Sequence, residues 1–277
     1  MMRSMPSPTL ASPSNPRIRS VARLRNRRGR DASGLTLVDG VREVRRALEA
    51  GVEVVEAFVC QPLLAGEDAR VALDLLADRR VPVISTTEAA FAKIAFGDRA
   101  EGLIAVVRAP SLRLDDLTLP PDPLLVVVEG VEKPGNLGAI LRSADGAGAD
   151  AVIAASPRTD LANPNVIRAS AGTYFAVPLA AAPTAEVIAW LRERRVGVVT
   201  ARVDAERAYD EAAFTGPLAI VLGSEAEGLS DAWQADHLET VRLPMHGIAD
   251  SLNVSVAAAV LLYEARRQRD RHRDRPD

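Results

Sequence analysis

Three short segments carry residue types that can do chemistry together. The first, EGVEKPGNLGAILRSADGAGA (residues 129–149), brackets Asn136 between Gly135 and Gly138 and sets Arg142 six residues further on. The second, LAIVLGSEAEGLS (218–230), ends an apolar run at Gly223 and places Glu225 two residues later. The third, VRLPMHGIADSLNVSVAAA (241–259), passes Leu243 and Pro244, turns through Gly247 and opens a last helical segment with Ser251, Leu252 and Asn253. Glycine lets backbone approach a ligand closely, a carboxylate accepts hydrogen bonds from one, and a helix N-terminus offers free N–H groups. Each segment also has a plainer reading: Asn136, Ser230 and Ser251 as helix caps, and Arg142 as a surface arginine. Asn253 resists that reading. It opens a helix that is apolar on nearly every side, and a buried amide needs partners. No G-x-G-x-x-G and no G-K-S/T is present, which argues against a dinucleotide fold and a phosphate loop.

The elements that must position these residues follow from periodicity. LLVVVEGV, AVIAAS, VGVVTARV, PLAIVLGSE and ETVRLPM read as strands, with helices over Asn136–Ala147, Ala185–Arg195 and the final stretch. Continuous Val/Ile/Leu strands alternating with helices predict a parallel sheet covered on both faces, and in such α/β sheets ligands bind beyond the carboxyl ends of the strands. All three segments fall there. Upstream, a helix over Gly40–Ala50 closed by Gly51, strands VEVVEAFVC, VPVIS and GLIAVVRA, and a helix over Glu67–Arg79 make a smaller α/β domain. The expected division is a disordered tail over 1–16, an N-terminal domain over 17–108, a proline-rich linker over 109–123, the main domain over 124–268 and a basic tail over 269–277.

Composition sets the outer bounds. A chain of 277 residues with 26% charged and 48% apolar residues can bury a substantial core. The net charge of −3 makes no whole-protein case for nucleic acid, but arginines crowd residues 17–30 and 266–275. Such runs are solvated tails or gather phosphate backbone. Cys60 is the only cysteine, which excludes an intrachain disulfide and a thiolate-rich metal site. No apolar run has transmembrane length, and the Pro/Ser-rich start lacks the apolar core of a signal peptide, so a cytoplasmic location without a membrane is expected.

N-L-G-A-I-L-R-S-A-D, V-L-G-S-E-x-x-G-L and L-P-M-x-G-x-x-x-S-L-N-V-S-V-A-A-A, in this order and spacing, closely resemble the three motifs of the SpoU (TrmH) family of the SPOUT superfamily. Its members are S-adenosylmethionine-dependent RNA ribose 2′-O-methyltransferases. The resemblance covers roughly residues 124–268, and a weaker one links residues 17–108 to the family's small substrate-binding domain, which resembles a ribosomal-protein fold. It implies a deep trefoil knot in the C-terminal domain, S-adenosyl-L-methionine as methyl donor without a metal, and a homodimer with sites at the subunit interface. It also implies a catalytic set of Arg142, Asn136, Glu225, Ser251 and Asn253. Gly223, Leu243 and Leu252 would hold the donor through main-chain groups, with Thr200 and Ala201 as neighbours of that pocket. Arg168 matches an arginine near RNA phosphate or the target ribose. With RNA as partner, Arg23, Arg25, Arg27 and Arg28 read as phosphate contacts. Ribosomal RNA is the favoured substrate. Transfer RNA, or a non-catalytic RNA-binding role, is the alternative. Glu132-Lys133-Pro134-Gly135 stands ahead of Asn136 where many members carry an aspartate and a proline, a departure that touches no catalytic position of the family.

Overall fold

Residues 9–96, 100–234 and 238–273 are described by the computed structural model. They divide into two units: residues up to Pro110 with Asp160–Ala176, and Ser111–Thr159 with the chain from Val177 onward.

In the first unit, α1 (Pro16–Arg23) and α2 (Arg27–Ser33) lead into β1 (Leu35–Asp39). There follow α3 (Val41–Glu49), β2 (Val54–Val59), α4 (Glu67–Asp78), β3 (Val83–Ser85), α5 (Glu88–Ile94) and β4 (Leu103–Arg108). The four strands pair in the order β1-β4-β2-β3, parallel only between β2 and β3. The tail expected to be disordered over 1–16 is ordered where it is described. Leu10 donates its N–H to Ser85 at 2.8 Å, and residues 1–8 lie outside the described residues. Asn15 then caps α1 by accepting the Arg17 N–H at 2.8 Å, with Pro16 as the first helical residue. Ile18, Val21 and Leu24 enter the core beside Phe58, Phe91 and Ile104. Three apolar residues at helical spacing are enough to dock α1, whose arginines Arg17, Arg19 and Arg23 stay exposed. Cys60 is buried in this same core, where desolvation raises its thiol pKa.

The second unit runs β5 (Leu124–Glu129), α6 (Pro134–Ala147) and β6 (Ala151–Ala155). Residues 160–176, with α7 (Pro164–Ala169), group with the first unit although they fall inside the sequence range 124–268. The second unit resumes with β7 (Leu179–Ala182), α8 (Thr184–Glu193), β8 (Gly197–Ala201), β9 (Leu218–Leu222), β10 (Glu239–Val241) and α9 (Val254–Arg273). Its sheet is parallel throughout, in the order β10-β8-β9-β5-β6-β7. Every residue of β5, β6 and β9 is buried, as continuous apolar strands require. Leu125, Val127, Ile153 and Val221 face Val187, Trp190 and Leu191 of α8. On the other side α6 and α9 pack against each other.

Three expectations are corrected within this unit. The 109–123 stretch is not a free linker: Leu114 is buried and the Leu112 carbonyl accepts the Ala181 N–H at 2.7 Å. The basic tail from residue 269 is helix as far as Arg273. Arg269 is buried, donating to the carbonyls of Asp122, Pro123 and Phe214 at 3.1–3.2 Å, because a guanidinium's five donors can satisfy several carbonyls at once. The last helix, expected to be buried all round, leaves Val256 and Tyr263 about half exposed in the single chain.

Candidate active site

The three segments meet at the carboxyl ends of β5, β9 and β10. β5 and β9 are buried along their whole length, so the exposed polar side chains of these segments lie past the strand ends. Asn136, in the first turn of α6, donates from Nδ2 to Glu225 Oε1 at 2.8 Å. Asn253 donates from its own Nδ2 to the same oxygen and, at 3.3 Å, to Asn136 Oδ1. Lys133 Nζ pairs with Glu225 Oε2. Three residues read from three separate motifs therefore share one hydrogen-bonded cluster, with a fourth that sequence reasoning set aside. The cluster lowers the Glu225 pKa, first through Lys133, and raises that of Lys133 through Glu225.

Asn253, not Ser251, caps the last helix: its Oδ1 accepts from Ser255 N–H at 2.9 Å and from Ser255 Oγ at 2.6 Å. One amide thus closes the helix end with its oxygen and binds the carboxylate with its nitrogen. Ser251 is left outside the helix and lines a cavity of about 580 Å³. Ala201, Gly223, Leu243 and Leu252 line it too, beside Leu222, Val254 and Ala257. Thr200 does not line it. That side chain is fully buried in β8 and reaches Thr240 Oγ1 at 3.0 Å, since strand alternation turns it away from its neighbour Ala201. Gly223 has no room for a side chain: a Cβ there would lie 2.0 Å from the Gly228 carbonyl carbon, so the 223–228 turn can fold over it only if it is glycine.

Arg202, unmarked in the sequence reading, also lines the cavity. Its Nε donates to Asp204 at 3.1 Å, and its Nη1 is buried without a partner among the described residues. The signal for it was a charge placed directly after an apolar strand. A smaller cavity of about 210 Å³, lined by Lys133, Asn136, Glu225 and Val254, adjoins the first through Gly223 and Ser224. At its rim Arg158 donates to Glu132 at 2.8 Å and to Glu227 at 3.1 Å, tying the loop before α6 to the loop after β9.

Arg142 is not brought into this cluster. Six residues beyond Asn136 on α6, it lies about 9 Å along the helix and roughly 120° around it, exposed and absent from the linings of both cavities. The remaining predicted residues belong to the first unit. Arg25 lies over the Phe96 ring at 5.0 Å, and Arg27 faces Asp31 at 3.5 Å. Arg23 and Arg28 are exposed. Arg168 donates to the Phe96 carbonyl at 2.6 Å and faces Asp39 at 3.5 Å, where burial pushes the Asp39 carboxyl up to about 6. Among the described residues no group of His, Cys, Asp and Glu is arranged to hold a metal ion, and no helix is long and apolar enough to cross a membrane.

Residues 123–263 match the model of the SpoU rRNA Methylase family, and residues 15–105 match an MRM3-like substrate binding domain. The chain belongs to the SpoU rRNA methylase family. Among curated relatives of this SpoU chain, a 23S rRNA (uridine(2479)-2′-O)-methyltransferase of Streptomyces viridochromogenes is 35% identical over 260 residues, covering 90% of this chain and 88% of the relative. Among solved structures, an RNA 2′-O ribose methyltransferase superposes with a TM-score of 0.85 at 44% identity, covering 94% of this chain and 99% of the other. The SpoU methyltransferase AviRb of Streptomyces viridochromogenes, in complex with the cofactor AdoMet, superposes with a TM-score of 0.82 at 32% identity, covering 92% and 98%.

Proposed function

We propose that this chain transfers a methyl group from S-adenosylmethionine to the 2′-hydroxyl of a ribose in RNA, with ribosomal RNA the favoured substrate. The observation that carries the reading is the convergence of Asn136, Glu225 and Asn253 on one hydrogen-bonded cluster beside a 580 Å³ cavity. The relatives' names support it: one is a 23S rRNA 2′-O-methyltransferase, one an RNA 2′-O ribose methyltransferase, and one was captured with AdoMet.

The cavity suits that donor chemically. Leu222, Leu243, Leu252 and Ala257 offer an apolar wall for a base. The unpartnered Arg202 Nη1 and the carboxylates of Asp204 and Asp250 provide both signs of charge for an amino-acid end. When bound, S-adenosylmethionine supplies an electrophilic methyl on a positive sulfur. The chain's task is to bring a ribose oxygen into line with it and to help the hydroxyl lose its proton. The Arg142 guanidinium carries only N–H donors and no acceptor, so it is not the group that takes that proton. It stabilises the developing alkoxide and the adjacent phosphate, while phosphate or water accepts the proton. Ser251, at the cavity mouth, and Asn253 orient the ribose.

Arg142 is exposed and lies outside its own chain's cluster, which fits a homodimer in which it reaches the site of the second copy. The exposed Val256 and Tyr263 on α9 support the same assembly. The parallel order β10-β8-β9-β5, with all three motif loops at one end, supports a deep trefoil knot in the second unit. The mixed four-stranded sheet of the first unit supports a ribosomal-protein-like substrate domain, with Arg23, Arg25, Arg27, Arg28 and Arg168 facing RNA. A ribosomal RNA substrate puts this work in the cytoplasm. The test is incubation with methyl-labelled S-adenosylmethionine and separated ribosomal and transfer RNA pools. Label is expected in the ribosomal pool; label in neither pool overturns the reading.

A further inference from the structure

Glu225 is held from three sides, and the three holds are not equivalent. Oε1 takes the side-chain amides of Asn136 and Asn253, while Oε2 takes only Lys133. The two ends of an asparagine amide have nearly the same shape, so shape does not decide which end faces the carboxylate. Protonation does. An ionised carboxylate only accepts, so both amides present N–H to it; a protonated one carries a donor, and the Asn136 amide could then turn its oxygen inward. With both nitrogens committed to Glu225, Asn253 Oδ1 is left to cap α9 at Ser255, next to Leu252 and Ser251 in the cavity wall.

Lys133 stands where local stability alone would not put it. It precedes the first turn of α6, where the helix dipole disfavours a cation, and no side chain caps that helix. A residue that breaks a local rule at a site is expected to serve the site. The other charges near Glu225 are already matched: Glu132 and Glu227 share Arg158, and the contributions of α9, Asn253 and Ser255, are neutral. Asp250 lines the larger cavity. Lys133 is thus the cation left to balance Glu225.

We propose that Lys133 is a positioning residue of the methyl-transfer site. By pairing with Glu225 Oε2 it holds the carboxylate where both asparagine amides can donate to Oε1. This rests on the methyltransferase reading above. It accords with the lowered Glu225 pKa, whose first cause is Lys133. Because the lysine is 69% exposed and the glutamate 27%, the expected effect is modest.

The test compares wild type, Lys133→Met and Lys133→Arg as full chains, measuring kcat and KM against pH. In parallel, NMR follows the pH midpoint of the Glu225 carboxyl. Lys133→Met is expected to lower kcat roughly fivefold, to move the acid limb and the Glu225 midpoint to higher pH, and to leave KM for S-adenosylmethionine within about twofold. Lys133→Arg should restore both limb and midpoint. Wild-type kcat and an unmoved midpoint in Lys133→Met would overturn the proposal. So would a loss confined to KM for RNA with the midpoint unmoved, which would make Lys133 a phosphate contact. A wild-type chain that transfers no methyl at all removes the methyltransferase reading instead, and this role with it.

Discussion

The two units use polar residues in opposite ways. In the second, β5, β6 and β9 are buried end to end, so polar side chains gather where those strands stop, and Asn136, Glu225 and Asn253 converge there. In the first, polar side chains are spread over the surface, and several of its arginines are spent on its own carboxylates and carbonyls. Arg17 pairs with Glu56, Arg45 with Glu49, and Arg30 is buried against Asp160. A charge cluster in sequence is therefore a poor guide to a binding face, whereas polar residues just past a buried strand are a good one.

That contrast can be broken at several points. The largest effect is expected in the first unit. Arg30→Met leaves Asp160 partly buried without its cation and should destabilise the unit by about 3–5 kcal/mol in urea unfolding, while the conservative exposed change Arg19→Lys should cost nothing measurable. In the second unit, Arg142→Ala should keep the thermal midpoint and donor affinity but lower methylation at least ~100-fold. Normal turnover would return Arg142 to the status of a surface residue. Gly223→Ala forces a Cβ into the Gly228 backbone and should weaken S-adenosylmethionine binding roughly tenfold by calorimetry, since overpacking costs on the order of 1–3 kcal/mol. The smallest effect belongs to the exposed arginines. Arg23→Ala with Arg28→Ala should reduce the slope of log affinity for RNA against log salt by up to about 2. An unchanged slope would leave these two as solvated charges. Point changes are needed here because α1 is docked through Ile18 and Val21, so deleting it would remove part of the core.

Legibility followed the same contrast. β5, β6, β8 and β9 were readable because each is a continuous apolar run of strand length. β7 was not: Leu179–Ala182 is a leucine and three alanines between Pro178 and Pro183, too bland to stand out. α1 was hidden because its apolar stripe is outnumbered by arginines. The grouping of residues 160–176 with the first unit depends on partners such as Arg30 and Asp160, 130 positions apart, a distance at which no local pattern operates. At the site, Asn136, Glu225 and Asn253 were legible from motif spacing. The pairing of Lys133 was not, because nothing in Glu-Lys-Pro-Gly says that the lysine bends back to a loop 92 residues away. The burial of α9 was overread, since apolar residues on every side of a helix do not say how much of the cover comes from the same chain.

The most direct test is the chemical nature of the methylated product. RNA incubated with the full chain and labelled donor is hydrolysed in alkali, which cleaves wherever a free 2′-hydroxyl can attack its phosphate. The account predicts that label survives in an alkali-resistant dinucleotide and that Asn253→Ala loses most of it. Label recovered in single nucleotides with a methylated base would contradict ribose methylation.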